Sequence, residues 1–586
     1  MLSRFIFPFV LLISFSPLHS QVSLSRYGQL ISSPFWLKIN HLDGWAIHYT
    51  IDGSEPSEQS PVFPDSLYIS SNLNPSELYS IPTSDSWRLA LEMPSPDVVI
   101  RWVAIHPSYT LRPSGTENYL FKREHQWPIL SINGNRENFF SLDSGIYVVG
   151  NNEVANFFRK GKRWERKMKV ELRTSENEVL FHQTLGIRIH GRSSRTNPQK
   201  SLRLYAREEY GANEIDYPLF GASAPDQFEH LIVRAPEKIF SSAVIIDEVS
   251  QRMAVGLDIN PQHSLPVEVR LNGEYWGIAT LRERQDAEYI KDYFGYEEDE
   301  IDLVEWDRQA ELEAGTIAHF SKWSSWLKSG SKNAESDVLA LNEYIDVDHF
   351  IEYFCYQSII ANEDWPNNNL RLWRPLDGQW RFMYYDGDGS LQRHDRDPIQ
   401  WVLEDARDDN PVSLIIQAFK DNPYFMQRLY FRMNLMLSGH MNTNKWTATF
   451  DEVADEFEPL IFDQINRWYN PESLASWYQA VEEARSFIGY RNLYLSQWLN
   501  DRLEIQLQLY PNPSNVISYV ESDTEFGLSP VSLQLYNLQG QQVQTPYHIL
   551  GPTQLSVETS SLPDGIYVLR TQIGVLSYHS RLIVTH

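Results

Sequence analysis

Cysteine is nearly absent. Cys355 is the only one in 586 residues, so no disulfide can form within the chain. A chain of this length builds cores large enough to stand without disulfides, even in compartments that permit them. Cys355 falls on the apolar face of a helix-like run, where a thiol serves packing and not nucleophilic attack. Positive charge is also short: 50 Lys and Arg stand against 77 Asp and Glu, a net −27, which argues against general nucleic-acid binding. Beyond the N-terminus no run approaches the ~18 apolar residues of a membrane-spanning helix. The 16 His form no H-E-x-x-H and no Cys/His spacing, which leaves a zinc site unsupported. Neither G-x-G-x-x-G nor a Walker A motif occurs.

What is present divides the chain into about three or four domains, at ~100–200 residues each, and 42% hydrophobic residues supply their cores. Most of the 18 Trp, 31 Tyr and 28 Phe are expected there. Met1-Leu2-Ser3-Arg4 followed by the apolar run Ile6 to Phe15 reads as a signal peptide over 1–20, cut after Ser20. That run is too short for a comfortable membrane anchor. Residues 21–126 read as β-rich: WAIHYTI (Trp45–Ile51) alternates and Asp52-Gly53 turns. The string YTIDGSEPS resembles the β-sandwich segment at the C-terminal end of chitobiase-type enzymes, which implies a sandwich-like domain.

The densest chemistry lies between Asn362 and Ser390: NEDWPNNN, LRLWRPLDGQWRFMYY, DGDGS. Asp346 can cap a helix whose apolar residues recur as Val347, Phe350, Ile351, Phe354 and Cys355 and which ends near Ile360. NEDWPNNN is a loop. A strand from Leu370, a turn at Asp377-Gly378 and a return strand over Trp380–Tyr385 form a hairpin that ends at Asp386. Asp364, Asn369, Asp386 and Asp388 thus gather at the ends of short strands, a set of oxygens suited to a divalent cation. DGDGS also looks like the start of a calcium loop, but Leu391 stands where that loop needs Gly, and Asp397 where it needs Glu. Protein kinases use a catalytic Asp, an Asn five residues on, a hairpin and a metal-binding Asp in this order. The chain has no H-R-D and no D-F-G, so it is not an ordinary kinase.

A phosphate-binding counterpart is the segment 159–207, with 14 Lys and Arg against four Glu. Within it Ile187 and Ile189 alternate with Arg188 and His190 as a strand, and Ser201–Tyr205 reads as another. Between them the turn Gly191-Arg192-Ser193-Ser194-Arg195 offers N–H groups, hydroxyls and guanidinium forks to phosphate oxygens, and Lys200 stands at the mouth of the second strand as a point charge. The bland alternative is a solvated basic hairpin.

The segments GIRIHGRSSRTNPQKSLRLYAR (Gly186–Arg207), VEVRLNGEYWGIATLRERQD (Val267–Asp286), NEDWPNNN and YYDGDGS, with SGIYVVGN and RWERKMKVEL upstream, resemble the CotH kinase family, named after spore coat protein H. The resemblance covers roughly 127–505. It implies an atypical protein-kinase-like core of two lobes, about 127–285 and 286–505, that binds ATP with Mg²⁺ or Mn²⁺ and phosphorylates protein hydroxyls. On that resemblance Lys200 is the phosphate-binding lysine and Asp364 the catalytic Asp. Arg192, Ser193, Ser194 and Arg195 face the phosphates. Asn369, Asp386 and Asp388 hold the metal, with Asn368 competing for the place of Asn369. Arg282 and Glu283 fall where a hinge or nucleotide-facing residue would sit. Glu248 and Asp247, on an expected helix 242–255, are alternative partners for Lys200, with a plain surface role for both the more expected reading.

Residues 411–505 read as helices that complete the second lobe. The tail, 508–586, changes to short alternating strands between Pro, Asn and Asp-Gly turns, which predicts a small antiparallel sandwich. Its YPNP start and DGIYVLR…RLIV ending resemble the C-terminal sorting domain of the Por, or type IX, secretion system. That resemblance implies passage through the periplasm of a two-membrane bacterium and release or display at the outer surface. The expected whole is a multidomain α+β protein: a kinase-like core between an N-terminal β-sandwich-like domain and a small C-terminal β-sandwich. Two functions fit it: a secreted kinase acting on unidentified exported proteins, or a surface binding protein that keeps the fold without the chemistry. AMP transfer is a third. Intact Lys200, Asp364, Asn369 and Asp386 favour the first, and the scarcity of ATP outside cells favours the second.

Overall fold

The computed structural model describes residues 22–586 except 75–76, 93, 122–126, 238–242, 308, 406–409, 504 and 524–528. The expected signal peptide lies outside the described residues. The protein is a mixed α+β chain of several domains, and it divides into two compact units.

The first unit takes residues 1–235, 265–282 and 462–469. It opens with a β-rich domain. Strands Gln29–Ile31, Ser114–Phe121, Val98–Ile105 and Ala46–Thr50 form one sheet, and two short ribbons accompany it. Leu37, Ile47, Ile69, Val98, Ile100 and Tyr119 fill its core. A closed barrel follows, built from β1 (Ile129–Asn133), β2 (Arg166–Arg173), β3 (Val179–Ile189), β4 (Leu202–Tyr205), β5 (His230–Arg234), β6 (Ser264–Leu271) and β7 (Glu274–Arg282). Its order is β2-β3-β4-β5-β7-β6-β1. Leu185, Ile187 and Ile189 point into the barrel core as their alternation requires, and Ile189 pairs with Leu202 across the basic hairpin.

The β-rich domain is seated on the barrel at the β6–β7 turn. Asn272 donates to the carbonyls of Asp52 and Gly134, at 3.0 and 2.9 Å, and its Oδ1 accepts the Gly134 N–H. The Glu274 carboxylate accepts the Leu78 and Tyr79 N–H groups at 2.8 and 2.9 Å. Beside them Arg270 pairs with Asp97 (2.9 Å) and with Glu268, all three fully buried. Mutual pairing is what makes such burial tolerable.

The second unit takes 236–264, 283–461 and 470–586. Helix α1 (Ile246–Ala254) and a four-stranded sheet belong to it: β8 (Ile301–Asp307), β9 (Gln309–Ala314), β10 (Leu370–Pro375) and β11 (Arg381–Met383), in the order β9-β8-β10-β11. Helix α2 (Val347–Ile359) is capped by Asp346, whose side chain accepts the His349 N–H at 3.1 Å. Helices α3 (Pro411–Phe419), α4 (Pro423–Ser438), α5 (Thr443–Trp468) and α6 (Leu474–Asn500) follow; the last turns of α5 count with the first unit. α2 is buried on nearly every side, so it is a core helix and not a surface amphipathic one.

Two four-stranded antiparallel sheets close the chain, with Val520, Leu535, Leu555, Val557, Leu569 and Leu582 between them. This sandwich is fastened to α4. The buried Asn434 accepts the Val575 N–H at 2.8 Å and donates to Ile573 O and Ser529 Oγ at 3.3 and 3.1 Å. Gly574, at φ +63°, makes the turn that Asn434 grips. Among the described residues no helix is long and apolar enough to cross a membrane.

Candidate functional site

The acidic site is built by two loops of the second unit, 360–369 after α2 and 386–391 after β11. The hairpin between them has the expected form: Arg371 pairs with Met383, Leu372 with Phe382 and Trp373 with Arg381, and the Gly378 N–H closes the turn on Pro375 O at 3.0 Å. The loops are laced edge to edge. The Glu363 N–H donates to Gly389 O (3.0 Å) and the Leu391 N–H to Ile360 O (2.9 Å). Ala361, Asn369, Asp386 and Leu391 all hold φ between +50° and +63°, a left-handed conformation unusual away from glycine. Such conformations persist where surrounding contacts over-determine them, often at functional sites.

Inside this frame the Asp364 carboxylate accepts two side-chain amides, Asn368 Nδ2 at 2.7 Å and Asn369 Nδ2 at 2.9 Å. Both expected amides therefore orient the same acid. Asn369 Nδ2 and Asn362 Nδ2 each lie 3.4 Å from the backbone oxygen of Asp386. The structure thus brings together Asp364, Asn368, Asn369 and Asp386. Asp388 lies two residues on, half-buried like Asp364 and Asp386. Among the described residues, no group of three or more His, Cys, Asp or Glu is gathered as for a metal ion. The Asn368 and Asn369 amides turn their donors to Asp364.

Asn362, to which no role was assigned from sequence, is central. It is buried, its Oδ1 accepts the Asp364 N–H at 3.2 Å, and its carbonyl accepts from Arg396 at 3.0 Å. Its place at the head of NEDWPNNN was the available signal. Arg371, just after Asn369, was also missed. It is buried, donates to Gln285 O at 2.6 Å, and pairs with Glu305 and Glu313.

The two acids of α1 separate. Asp247 Oδ1 accepts the Gly387 N–H at 2.7 Å, in the middle of DGDG. Glu248 accepts from Arg252 Nε at 2.8 Å and from Ser264 Oγ at 2.9 Å. The helix spans Ile246–Ala254; of the expected 242–255, residue 242 lies outside the described residues, and 243–245 and 255 are not helical. Glu283 is buried and accepts from the His263 N–H at 2.8 Å and from the Tyr293 hydroxyl at 2.5 Å. One of the five points at which the chain passes from one unit to the other falls between Arg282 and Glu283.

In the first unit the basic turn splits by role. Arg192 and Ser193 are exposed and Ser194 is half-buried. Arg195 turns inward: it is buried and donates to Gly191 O (2.5 Å), Phe157 O (2.8 Å) and Arg159 O (3.4 Å). It shapes the turn from within and does not face outward as expected: its guanidinium fork is taken up by three backbone carbonyls. Arg282 is likewise buried, with Nε on Thr280 Oγ1 at 2.9 Å. Lys200 is 3% exposed. Its Nζ donates to Asn197 O at 2.5 Å and lies 4.3 Å from the ring centre of Phe157 and 5.5 Å from that of Tyr147. Burial lowers its pKa to about 7, against the opposing pull of Asp85.

A family model described as CotH kinase protein matches residues 187–495, more than half of the chain, and the protein belongs to that family. The match begins inside β3, leaving β1 and β2 of the barrel upstream of it. A secretion system C-terminal sorting domain matches 508–585, the closing sandwich, which marks the chain for export. A model described as Fn3 associated matches 37–119 in the β-rich domain. Among solved structures the chain is similar to the "Twitchin kinase region from C.elegans (Fn31-NL-kin-CRD-Ig26)". The identity is 8%, the match covers 96% of this chain and 98% of that one, and the TM-score of 0.21 is too low to carry an argument. No curated protein matches the chain.

Proposed function

We propose that the protein is an exported atypical kinase of two lobes that transfers the γ-phosphate of ATP to Ser or Thr hydroxyls of exported or surface proteins. The observation that carries this reading is the Asp364 carboxylate, held by Asn368 and Asn369 within a pair of loops laced at Asp386, inside the family match. An acid fixed by two amides is oriented in advance, and positioning is most of what phosphoryl transfer asks of a protein. Asp364 accepts the proton of the incoming hydroxyl as its oxygen bonds to phosphorus and the bond to ADP breaks.

The donor set of Asn369, Asp386 and Asp388 is all oxygen, which fits Mg²⁺ or Mn²⁺. Such an ion supplies positive charge against the phosphate oxygens. Arg192, Ser193 and Ser194 offer donors to phosphate from the exposed side of their turn. The family resemblance assigns Lys200 to the phosphates, and in the structure its ammonium is held by the Asn197 carbonyl. The inward Lys200 also supports the second reading, a family member that binds on the cell surface without transferring phosphate. The sorting domain points to delivery through the type IX system, whose machinery is then a partner of the tail.

Intact mass spectrometry of the full chain incubated with ATP and Mg²⁺ or Mn²⁺ separates these readings. One added phosphate, lost in Asp364→Asn, supports the kinase; an added AMP supports nucleotidyl transfer. No mass change together with no cation-dependent thermal shift in ATP rules out both enzymes and leaves the binding protein.

A further inference from the structure

The contact between α1 and the acidic loop is closer than packing alone requires. Asp247 is 7% exposed, and its carboxylate accepts the Gly387 N–H at 2.7 Å. One turn on, Ser250 crowds the same glycine. A Cβ on Gly387 would stand 2.2 Å from Ser250 Oγ and 2.1 Å from the Tyr384 hydroxyl oxygen. Ser250 is itself fixed: its hydroxyl donates to Ile246 O and Asp247 O at 2.9 and 3.0 Å, and its carbonyl accepts from the Tyr356 hydroxyl of α2. The rings of Tyr356 and Tyr384 meet edge to face at 4.9 Å. Gly387 is thus anchored to α1 through Asp247, and Ser250 and Tyr384 leave no room there for a side chain.

The chemistry of this grip is unusual in sign. A carboxylate anchors a loop whose residues on either side of the anchor, Asp386 and Asp388, are carboxylates too. Like charges repel, and a cation bound by Asp386 and Asp388 lowers that repulsion. The anchor is therefore stronger when a cation is bound to the loop. By thermodynamic reciprocity the loop binds the cation more tightly when the anchor is made.

We propose that Asp247 is the positioning residue of the acidic loop: its hold on the Gly387 amide sets where Asp386 and Asp388 stand and links helix α1 to cation binding there. This rests on the reading of 386–388 as the cation-holding segment. A helix joined to the loop in this way gives a second route of control, since whatever shifts α1 shifts the loop's affinity for the ion.

Two measurements on the full chain test it. The first is amide hydrogen exchange without metal. In Asp247→Ala the segment 384–391 exchanges at least about ten times faster while the rest of the chain is unchanged, and Asp247→Asn, which keeps an acceptor oxygen, restores protection. The second is the Mn²⁺ concentration giving half of the thermal shift in the presence of ATP. It rises about tenfold in Asp247→Ala, equivalent to about 1.4 kcal/mol, and it also rises in Gly387→Ala, where Asp247 is intact but the added methyl pushes the loop away. An unchanged half-point in both variants overturns the coupling even if their metal-free stability falls, since a merely structural role would lower stability alone. Unchanged exchange in Asp247→Ala overturns the anchor. A wild-type chain without any cation-dependent shift defeats the proposed function and the coupling together. The exchange result still decides whether Asp247 positions the loop.

Discussion

Replacing Lys200 by Met should make the protein more stable, not less. Lys200 is 3% exposed, and burial lowers its pKa from the ordinary 10.5 to about 7. Between those two values the unfolded chain binds the proton and the folded chain does not, so stability rises with pH across that window. Below pH 7 the full cost of burial is present, and above 10.5 it is gone. A displacement of that size corresponds to an upper bound of about 5 kcal/mol. The bond from Nζ to Asn197 O and the cation–π contacts with Phe157 and Tyr147 offset roughly 1 kcal/mol each. Met fills a similar volume without charge. The expected net gain in Lys200→Met is therefore about 2 kcal/mol at pH 7 and below, shrinking towards zero near pH 10. Calorimetry from pH 6 to 10 reads it, because both sequences report the same unfolding transition. A lower Tm for Lys200→Met at pH 7, or a difference that does not change with pH, refutes the reasoning. A gain in stability accompanied by loss of phosphate transfer would show a strained group kept for function.

Other outcomes follow from the packing. Arg270→Met leaves Asp97 and Glu268 buried without their partner and should cost about 3–5 kcal/mol, read as a lower Tm; a double change of Glu268→Gln with Arg270→Met should recover part of it. Asn434→Ala removes the grip on the 573–575 turn and should release the C-terminal sandwich to limited proteolysis at lower protease concentration, with a cost of about 1–3 kcal/mol. Cys355 is buried and burial raises its pKa far above the ordinary thiol value, so a thiol reagent at pH 8 should modify it only on unfolding; rapid labelling of the native chain would contradict the burial of α2.

The parts read from the sequence are those that local physics decides. Asp346 does cap the helix before the acidic loop, Asp377-Gly378 does turn the hairpin, and Ile187 and Ile189 do alternate into a core. The tail's alternation with turn residues predicts its sandwich. What the sequence conceals is set by non-local pairing. The barrel closes only because β1 lies parallel to β6, with Ile129 opposite Glu268, a partner nearly half the family match away along the chain. Arg195 reads as a phosphate-facing fork, yet it points inward because three carbonyls meet there. Arg467 shows the same effect: it is fully buried, 3.8 Å from the ring centre of Trp468 and 4.5 Å from that of Trp276, a neighbour that no local pattern announces. Asp247 and Glu248 are adjacent acids on one helix and are indistinguishable in sequence. Helical geometry sends one to Gly387 and the other to Arg252.

The central claim is that Asp364 takes part in phosphate transfer. The direct measurement is the intact mass of the full chain after incubation with ATP and Mn²⁺, compared with Asp364→Asn, whose amide fits the same space but keeps an acceptor oxygen for only one of the Asn368 and Asn369 amides. One or more added phosphates are expected on the wild-type chain and none on the variant, at a temperature where melting curves show both to be folded, the variant melting somewhat lower for its lost hydrogen bond. Equal phosphate on the wild-type chain and the variant contradicts it.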